Sequence, residues 1–178
     1  MNHLGGWLEK DDNTYMPEVW NELLDKGIKS VVDIGCGSGI NLQWFFDRDF
    51  ICLGIDGDKE SLKKTAKRGI DVLENDYTKG PAGIGFFDLA LCTEFAEHIE
   101  QQYEMNWLQD LQKCKWVLFT HALPGQGGFH HVNCQSMDYW HDKFKDLGFT
   151  IDEEFTNRHR SSKYAWGRNT LTLFEKLN

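Results

Sequence analysis

Apolar residues along this chain fall into short blocks separated by longer amphipathic stretches. Five apolar runs lie near 30–34, 50–55, 70–73, 86–92 and 115–120. Between them, near 39–47, 58–68 and 99–113, apolar positions recur at helical spacing. Short continuous runs alternating with helical stretches predict a parallel sheet flanked by helices. Before the first run, Pro17 to Lys26 reads as a helix with Val19, Leu23 and Leu24 among its apolar positions and Thr14 as its cap. After a glycine-containing loop, Ser136 to Leu147 reads as a helix capped by Ser136 and stopped by Gly148. Phe149–Phe155 and Thr170–Lys176 alternate well enough for two final strands joined by a polar loop. There are no internal repeats, low-complexity stretches or linkers rich in Pro, Gly and Ser.

The sequence has 178 residues, so we expect one domain with a core large enough to need no staples. We divide it into an N-terminal segment (1–27), a core (28–120), and a C-terminal loop and hairpin (121–178). Cys36, Cys52, Cys92, Cys114 and Cys134 contain no C-x-x-C pair. They read as reduced, packed thiols of a cytoplasmic protein, not as a zinc site or a disulfide framework. No basic-then-apolar leader is visible, and no apolar run nears the roughly 20 residues that span a bilayer.

Net charge is −9 with the acids dispersed, which argues against DNA as a partner. The basic clusters are Lys63, Lys64, Lys67 and Arg68, and Arg158, Arg160 and Lys163. The first falls on a helix, where a solvated face is the expected reading.

Chemistry concentrates first at Val31 to Gly39, VVDIGCGSG. An apolar strand ends in a loop where Gly35, Gly37 and Gly39 alternate with small residues. Such glycines let the backbone turn sharply and approach a ligand closely. Ile40 stands where the dinucleotide fingerprint requires its last glycine, which disfavours an NAD-dependent oxidoreductase. Asp33 precedes the first glycine by two positions. Further acids follow the next runs, Asp56 with Gly57 after the second and Asp76 with Tyr77 after the third. FFDLALC, with Asp88, forms the fourth run and leads into Thr93.

This D-x-G-x-G-x-G pattern, in register with Asp56, Asp76 and FFDLALC, resembles the class I S-adenosylmethionine-dependent methyltransferases over about residues 28–120. The resemblance implies an α/β Rossmann-like fold. Its sheet is seven-stranded and mostly parallel, with helices on both faces and an antiparallel last strand. It also implies S-adenosylmethionine as cofactor, bound by Asp33, Gly35, Cys36, Gly37, Gly39, Asp56, Gly57, Asp76, Tyr77 and Thr93. Asp56 would accept from the ribose hydroxyls and Asp76 from the adenine amino group. For Tyr77, stacking on adenine and covering core are both open. Trp7 and Tyr15 would either fold over the cofactor as a lid or pack against the sheet edge.

The second constellation is Glu94-Phe95-Ala96-Glu97-His98. On a helix, Glu94, Glu97 and His98 share one face. Two carboxylates and an imidazole are ordinary ligands for a divalent ion. The segment resembles the E-x-x-E-H motif of metal-dependent small-RNA 2′-O-methyltransferases and of ubiquinone-biosynthesis O-methyltransferases. In the RNA enzymes a histidine from the loop after strand five completes the site, and His121, His130 and His131 stand in such a loop here. We therefore read Glu94, Glu97, His98 and His131 as a candidate magnesium or manganese set, and His98, His130 and His131 as candidate bases. Without a metal, the acids would answer a helix dipole and His98 would line the pocket.

No N/D-P-P-Y/F motif follows strand four, where the chain reads CTEF. In the family that motif marks methylation of amide or exocyclic base nitrogens. The expectation is thus methyl transfer to an oxygen, or to a different nitrogen, of a small-molecule or sugar acceptor. An RNA end or a non-catalytic cofactor-binding regulator are the alternatives.

Overall fold

The computed structural model describes residues 14–160 and 168–177. Seven strands form one sheet in the order β3-β2-β1-β4-β5-β7-β6. They are β1 (Ser30–Ile34), β2 (Ile51–Asp56), β3 (Asp71–Glu74), β4 (Phe87–Thr93), β5 (Cys114–Thr120), β6 (Phe149–Ile151) and β7 (Thr172–Lys176). β1 to β5 pair in parallel, and β7 runs antiparallel to both β5 and β6. Six strands therefore share one direction, as the resemblance implies.

The period-two alternation of a strand buried on both faces sorts the core into two halves. Val31, Leu89, Leu91, Trp116 and Leu118 face a cluster built on Trp20, Trp44, Phe45 and Phe155. Val32, Ile34, Ala90, Cys92, Val117 and Phe119 face another built on Trp107, Trp140, Phe144 and Phe174. Asp88 registers β4 against β1, because its Oδ2 accepts from the amides of Lys29 (2.8 Å) and Ser30 (3.1 Å) and from the Ser30 hydroxyl (3.0 Å).

The helices are α1 (Pro17–Leu23), α2 (Ile40–Phe46), α3 (Lys59–Lys67), α4 (Glu104–Leu111), α5 (Met137–Asp146) and α6 (Glu153–His159). Ser136 caps α5 as expected, accepting from the Tyr139 amide at 3.1 Å. Thr14 does not cap α1. That helix starts after Met16 with Pro17 in its first turn, where a missing N–H costs nothing. Tyr15 packs edge-on to Trp20 at 5.0 Å, so its ring is part of the core and not of a lid. Trp7 and Lys163 lie outside the described residues.

Two expectations are corrected. The strand expected over 149–155 ends at Ile151, because the Asp152 carboxylate accepts from the Phe155 amide at 3.0 Å and opens α6. Glu153 and Glu154 in its first turn add favourable charge. The helix expected from 99 starts only at Glu104, after two 3₁₀ turns at Ala96–His98 and Gln101–Tyr103.

All five cysteines are free, and four are buried. No helix among the described residues is long and apolar enough to cross a membrane.

Candidate active site

The loops at the carboxyl ends of β1 to β5 carry the chemistry-bearing residues, as expected for an open α/β sheet. After β1 the chain turns back across β2, and the amides of Gly35 and Cys36 donate to Ile55 O at 2.9 and 3.0 Å. The turn needs glycine for two separate reasons. Gly35 has φ +78°, and a Cβ there would stand 2.5 Å from Cδ2 of Phe95. Gly37 has φ +52° with open space where a Cβ would point. Gly39 ends the loop as the residue before α2. Thr65 Oγ1 donates to Gly37 O at 2.9 Å and Arg68 Nε donates to Ser38 O at 2.9 Å, so α3 holds the loop from behind.

Two acids face this loop. Asp56 accepts from the amides of Gly37 (2.9 Å) and Asp58 (2.8 Å) and lies at the end of β2, next to Gly57. Asp33 is fully buried, and neither of its carboxyl oxygens has a hydrogen-bond partner among the described residues. Burial, and then the neighbouring Asp56, push its carboxyl well above the usual range. A buried acid with unused acceptors is costly unless something donates to it. The ammonium of S-adenosylmethionine is a donor of the right kind for Asp33, and the Asp56 oxygens, each holding one amide, keep lone pairs for ribose hydroxyls, so both fit that cofactor.

Three other cofactor candidates are placed differently. Cys36 has its thiol held protonated by burial and by Asp33 and Asp56. Asp76 closes its own turn, accepting from the Thr78 amide (3.0 Å) and hydroxyl (2.7 Å) and pairing with Lys79 at 3.0 Å. Tyr77 is 3% exposed, packs edge-on to Phe95 at 5.7 Å and belongs to the core. The stacking reading of its ring is therefore corrected, since a buried ring has no free face. Thr93 ends β4 opposite Thr120 of β5, near the start of the second constellation.

That constellation is not on an α-helix. Glu94 has φ +50°, and its amide donates to Thr120 Oγ1 (3.0 Å) and Thr120 O (3.3 Å). The chain then tightens into the 3₁₀ turn. Ligand atoms of Glu97, His98 and His131 nevertheless lie within 4.8 Å of one another. Glu94 stands outside that trio, and its carboxyl adds like charge beside Glu97. Glu97 is 1% exposed, with the Glu94 carboxyl and the Ala122 backbone as its polar neighbours. Burial first, and Glu94 second, raise its pKa well above the usual range.

The His98 and His131 rings meet edge-on at 5.1 Å. Burial, then His131, push His98 down to about 4, so it is neutral near pH 7 with a lone pair to give. His131 Nδ1 lies 3.1 Å from Gln126 O. A proton on Nδ1 is donated there, which leaves Nε2 as the lone-pair nitrogen. Gly128 lies against the same ring, and a Cβ there would be 2.2 Å from Nε2. His130 adopts φ +51° in the same loop and is not in the trio.

His121 is corrected as a loop ligand. It is 2% exposed, stacks on Phe119 at 5.4 Å, and its Nδ1 lies 3.1 Å from Ala122 O. Burial lowers its pKa to about 4 from 6.5, so unfolding lets it take up a proton at mildly acidic pH. Its contribution is present above the unfolded value and is lost as pH falls toward the folded one. We expect His121→Phe to remove about 2 kcal/mol of the stability difference between about pH 7 and pH 5. Urea unfolding of both proteins at each pH measures this, and identical pH dependence would refute it.

The sequence did not single out Phe95, Gln126, Gly128, Asn133 or Glu104. Each acts by touching a candidate residue or its neighbour, and nothing in spacing marks such a contact.

Residues 32–118 match the family model described as a methyltransferase domain. No curated protein matches the chain. Among solved structures, the methyltransferase domain of bacterial CtHen1 is 15% identical, with a TM-score of 0.65 over 90% of this chain and 96% of that one. Magnesium protoporphyrin IX methyltransferase from Synechocystis PCC 6803, with bound S-adenosylmethionine, is 13% identical, with a TM-score of 0.68 over 90% and 77% of the two chains. A TehB-like methyltransferase from Corynebacterium glutamicum is 14% identical, with a TM-score of 0.64 over 89% and 88%. At these identities the structural likenesses speak for the fold. With the family match and the glycine-loop site, they define a Rossmann-like methyltransferase domain. Residues 32–118 thus carry a methyltransferase domain on the fold of the class I S-adenosylmethionine-dependent enzymes.

Proposed function

We propose that this enzyme transfers a methyl group to a hydroxyl oxygen of a small-molecule or sugar acceptor. We also propose that Glu97, His98 and His131 hold a divalent cation beside that oxygen. The observation carrying the reading is the convergence of these three ligand groups within 4.8 Å of one another around the buried Glu97 carboxyl. One carboxylate with two imidazoles and open positions suits manganese or another imidazole-binding divalent ion better than magnesium, and it is not a closed structural zinc site. When bound, the cation would act as a Lewis acid that lowers the pKa of the acceptor hydroxyl.

The protein's own residues supply the rest. Asp33 and Asp56 orient the donor through its cationic and ribose groups. The glycine loop lets the donor approach the backbone, which fixes it for in-line transfer. In the transfer, the acceptor oxygen forms a bond to the methyl carbon as the S–C bond breaks in line. Sulfur keeps the electron pair and leaves as the neutral thioether, S-adenosylhomocysteine. The acceptor proton passes to a base. Without a cation, Nε2 of His131 is the nitrogen oriented to take it.

A second reading, an RNA terminal ribose as acceptor, is favoured by the E-x-x-E-H spacing and the CtHen1-like fold. The net charge of −9 weighs against it. The test is incubation with methyl-labelled cofactor, manganese and separate panels of phenols, sugars, amines and short RNAs. Label in ether-forming small molecules is expected. Label confined to RNA would establish the second reading, and label confined to nitrogen acceptors would overturn both.

A further inference from the structure

We infer that Glu104, outside the ligand trio, is the positioning residue that sets His131 against Glu97 and His98. The inference rests on the cation reading above. Glu104 opens α4 and is 1% exposed. Its carboxylate collects Asn133 Nδ2 (2.9 Å on Oε1), the Tyr139 hydroxyl (2.9 and 2.8 Å on the two oxygens) and Lys143 Nζ (3.0 Å on Oε2). Tyr139 and Lys143 stand on α5, and Asn133 stands on the loop that carries His131.

Asn133 completes the link. Its side chain is fastened to Glu104, and its backbone amide donates to Glu97 O at 3.1 Å. The amide of Val132 donates to the same carbonyl at 2.9 Å. The residues just after His131 are thus clamped onto the backbone of Glu97, and the clamp is anchored in a buried carboxylate. Gln135 Nε2 donates to Asn133 Oδ1 at 2.9 Å and fixes the amide orientation from the other side.

Burying a carboxylate costs stability that hydrogen bonds only partly return, so a residue kept for packing alone would be cheaper as an apolar one. Partners behind the ligands commonly change metal affinity by about 10–100-fold when removed. The linkage through Asn133 predicts an effect of that size without any contact between Glu104 and the ion.

Asp110 supplies an internal control. It is the other buried carboxylate of α4, 2% exposed, and accepts from the amides of Ala82 (2.8 Å) and Gly83 (3.0 Å), away from the trio. The experiment titrates manganese into the full-length protein by electron paramagnetic resonance. Glu104→Gln and Asn133→Ala are each expected to weaken manganese binding about 10–100-fold. The double variant should be no weaker than either alone, because both break one clamp. Asp110→Asn is expected to destabilise the fold while leaving manganese affinity unchanged. S-adenosylhomocysteine affinity, measured in parallel, is expected to stay constant in all of them.

Unchanged manganese affinity in folded Glu104→Gln would overturn the inference, as would an equal loss in Asp110→Asn. If the wild-type protein takes no manganese, the cation reading fails. The positioning role is then read from the nuclear Overhauser contact between the His98 and His131 rings. That contact should be present in the wild type and lost in both Glu104→Gln and Asn133→Ala, and its persistence in either variant would overturn the inference.

Discussion

Gly35→Ala is expected to abolish S-adenosylhomocysteine binding, with an affinity loss of at least about 100-fold. Two costs add at this residue. An L side chain in the left-handed region costs roughly 1–2 kcal/mol. Its Cβ would also press within 2.5 Å of the Phe95 ring, a distance no relaxed contact shows. Phe95 cannot swing clear at small cost, because its ring meets Tyr77 at 5.7 Å and Trp107 at 5.9 Å within the core. The loop must move instead, carrying the Gly37 amide away from Asp56. Calorimetry with S-adenosylhomocysteine reads the loss, and an affinity within threefold of wild type would show that the loop does not bind the cofactor. Gly37→Ala separates folding from binding. With open space around its Cβ position it should lose only the roughly 1–2 kcal/mol of a left-handed L residue, with no clash, and lose affinity by obstructing the ligand.

How legible the chain is depends on which physics fixes each part. The strands of the parallel sheet are buried on both faces, so they appear as apolar runs, and β1, β2, β4 and β5 stand within a residue or two of where those runs lie. The glycine loop is legible because its backbone conformations are nearly closed to other residues. The strand expected from Phe149 stops at Ile151, short of Phe155, because Phe155 keeps the alternation while burying itself from a helix instead. The signal there was Asp152-Glu153-Glu154, a cap followed by an acidic first turn. Helical spacing placed Glu94, Glu97 and His98 on one face. Two of the three do converge, but through a 3₁₀ turn and a left-handed Glu94 that no periodicity encodes. What brings His131 to them is a clamp between segments far apart in sequence, and a single sequence carries no mark of which distant amide a carbonyl will accept.

The second large effect concerns His131 itself. With Nδ1 committed to Gln126 O, one nitrogen remains for chemistry, whether it holds the cation or takes the proton. His131→Ala should therefore lower turnover by about 10²–10⁴-fold on whichever hydroxyl acceptor the labelled panel identifies. Cofactor affinity should be unchanged, because Asp33, Asp56 and the glycine loop do not touch this ring. Gly128→Ala should lose nearly as much turnover while keeping the imidazole, since its Cβ would occupy the space at Nε2. Full turnover in either variant would remove His131 from the reaction. The two chemistries then part on Glu97. If a cation is held, Glu97→Gln should approach the His131→Ala loss, and excess chelator should stop the wild-type enzyme until manganese is restored. If His131 is the base, chelator should leave wild-type turnover intact. Glu97→Gln should then cost little, because burial and the neighbouring Glu94 favour the uncharged carboxyl, which the amide imitates. A chelator-resistant enzyme that nevertheless fails on Glu97→Gln would contradict both, and would make Glu97 the acceptor's own hydrogen-bond partner.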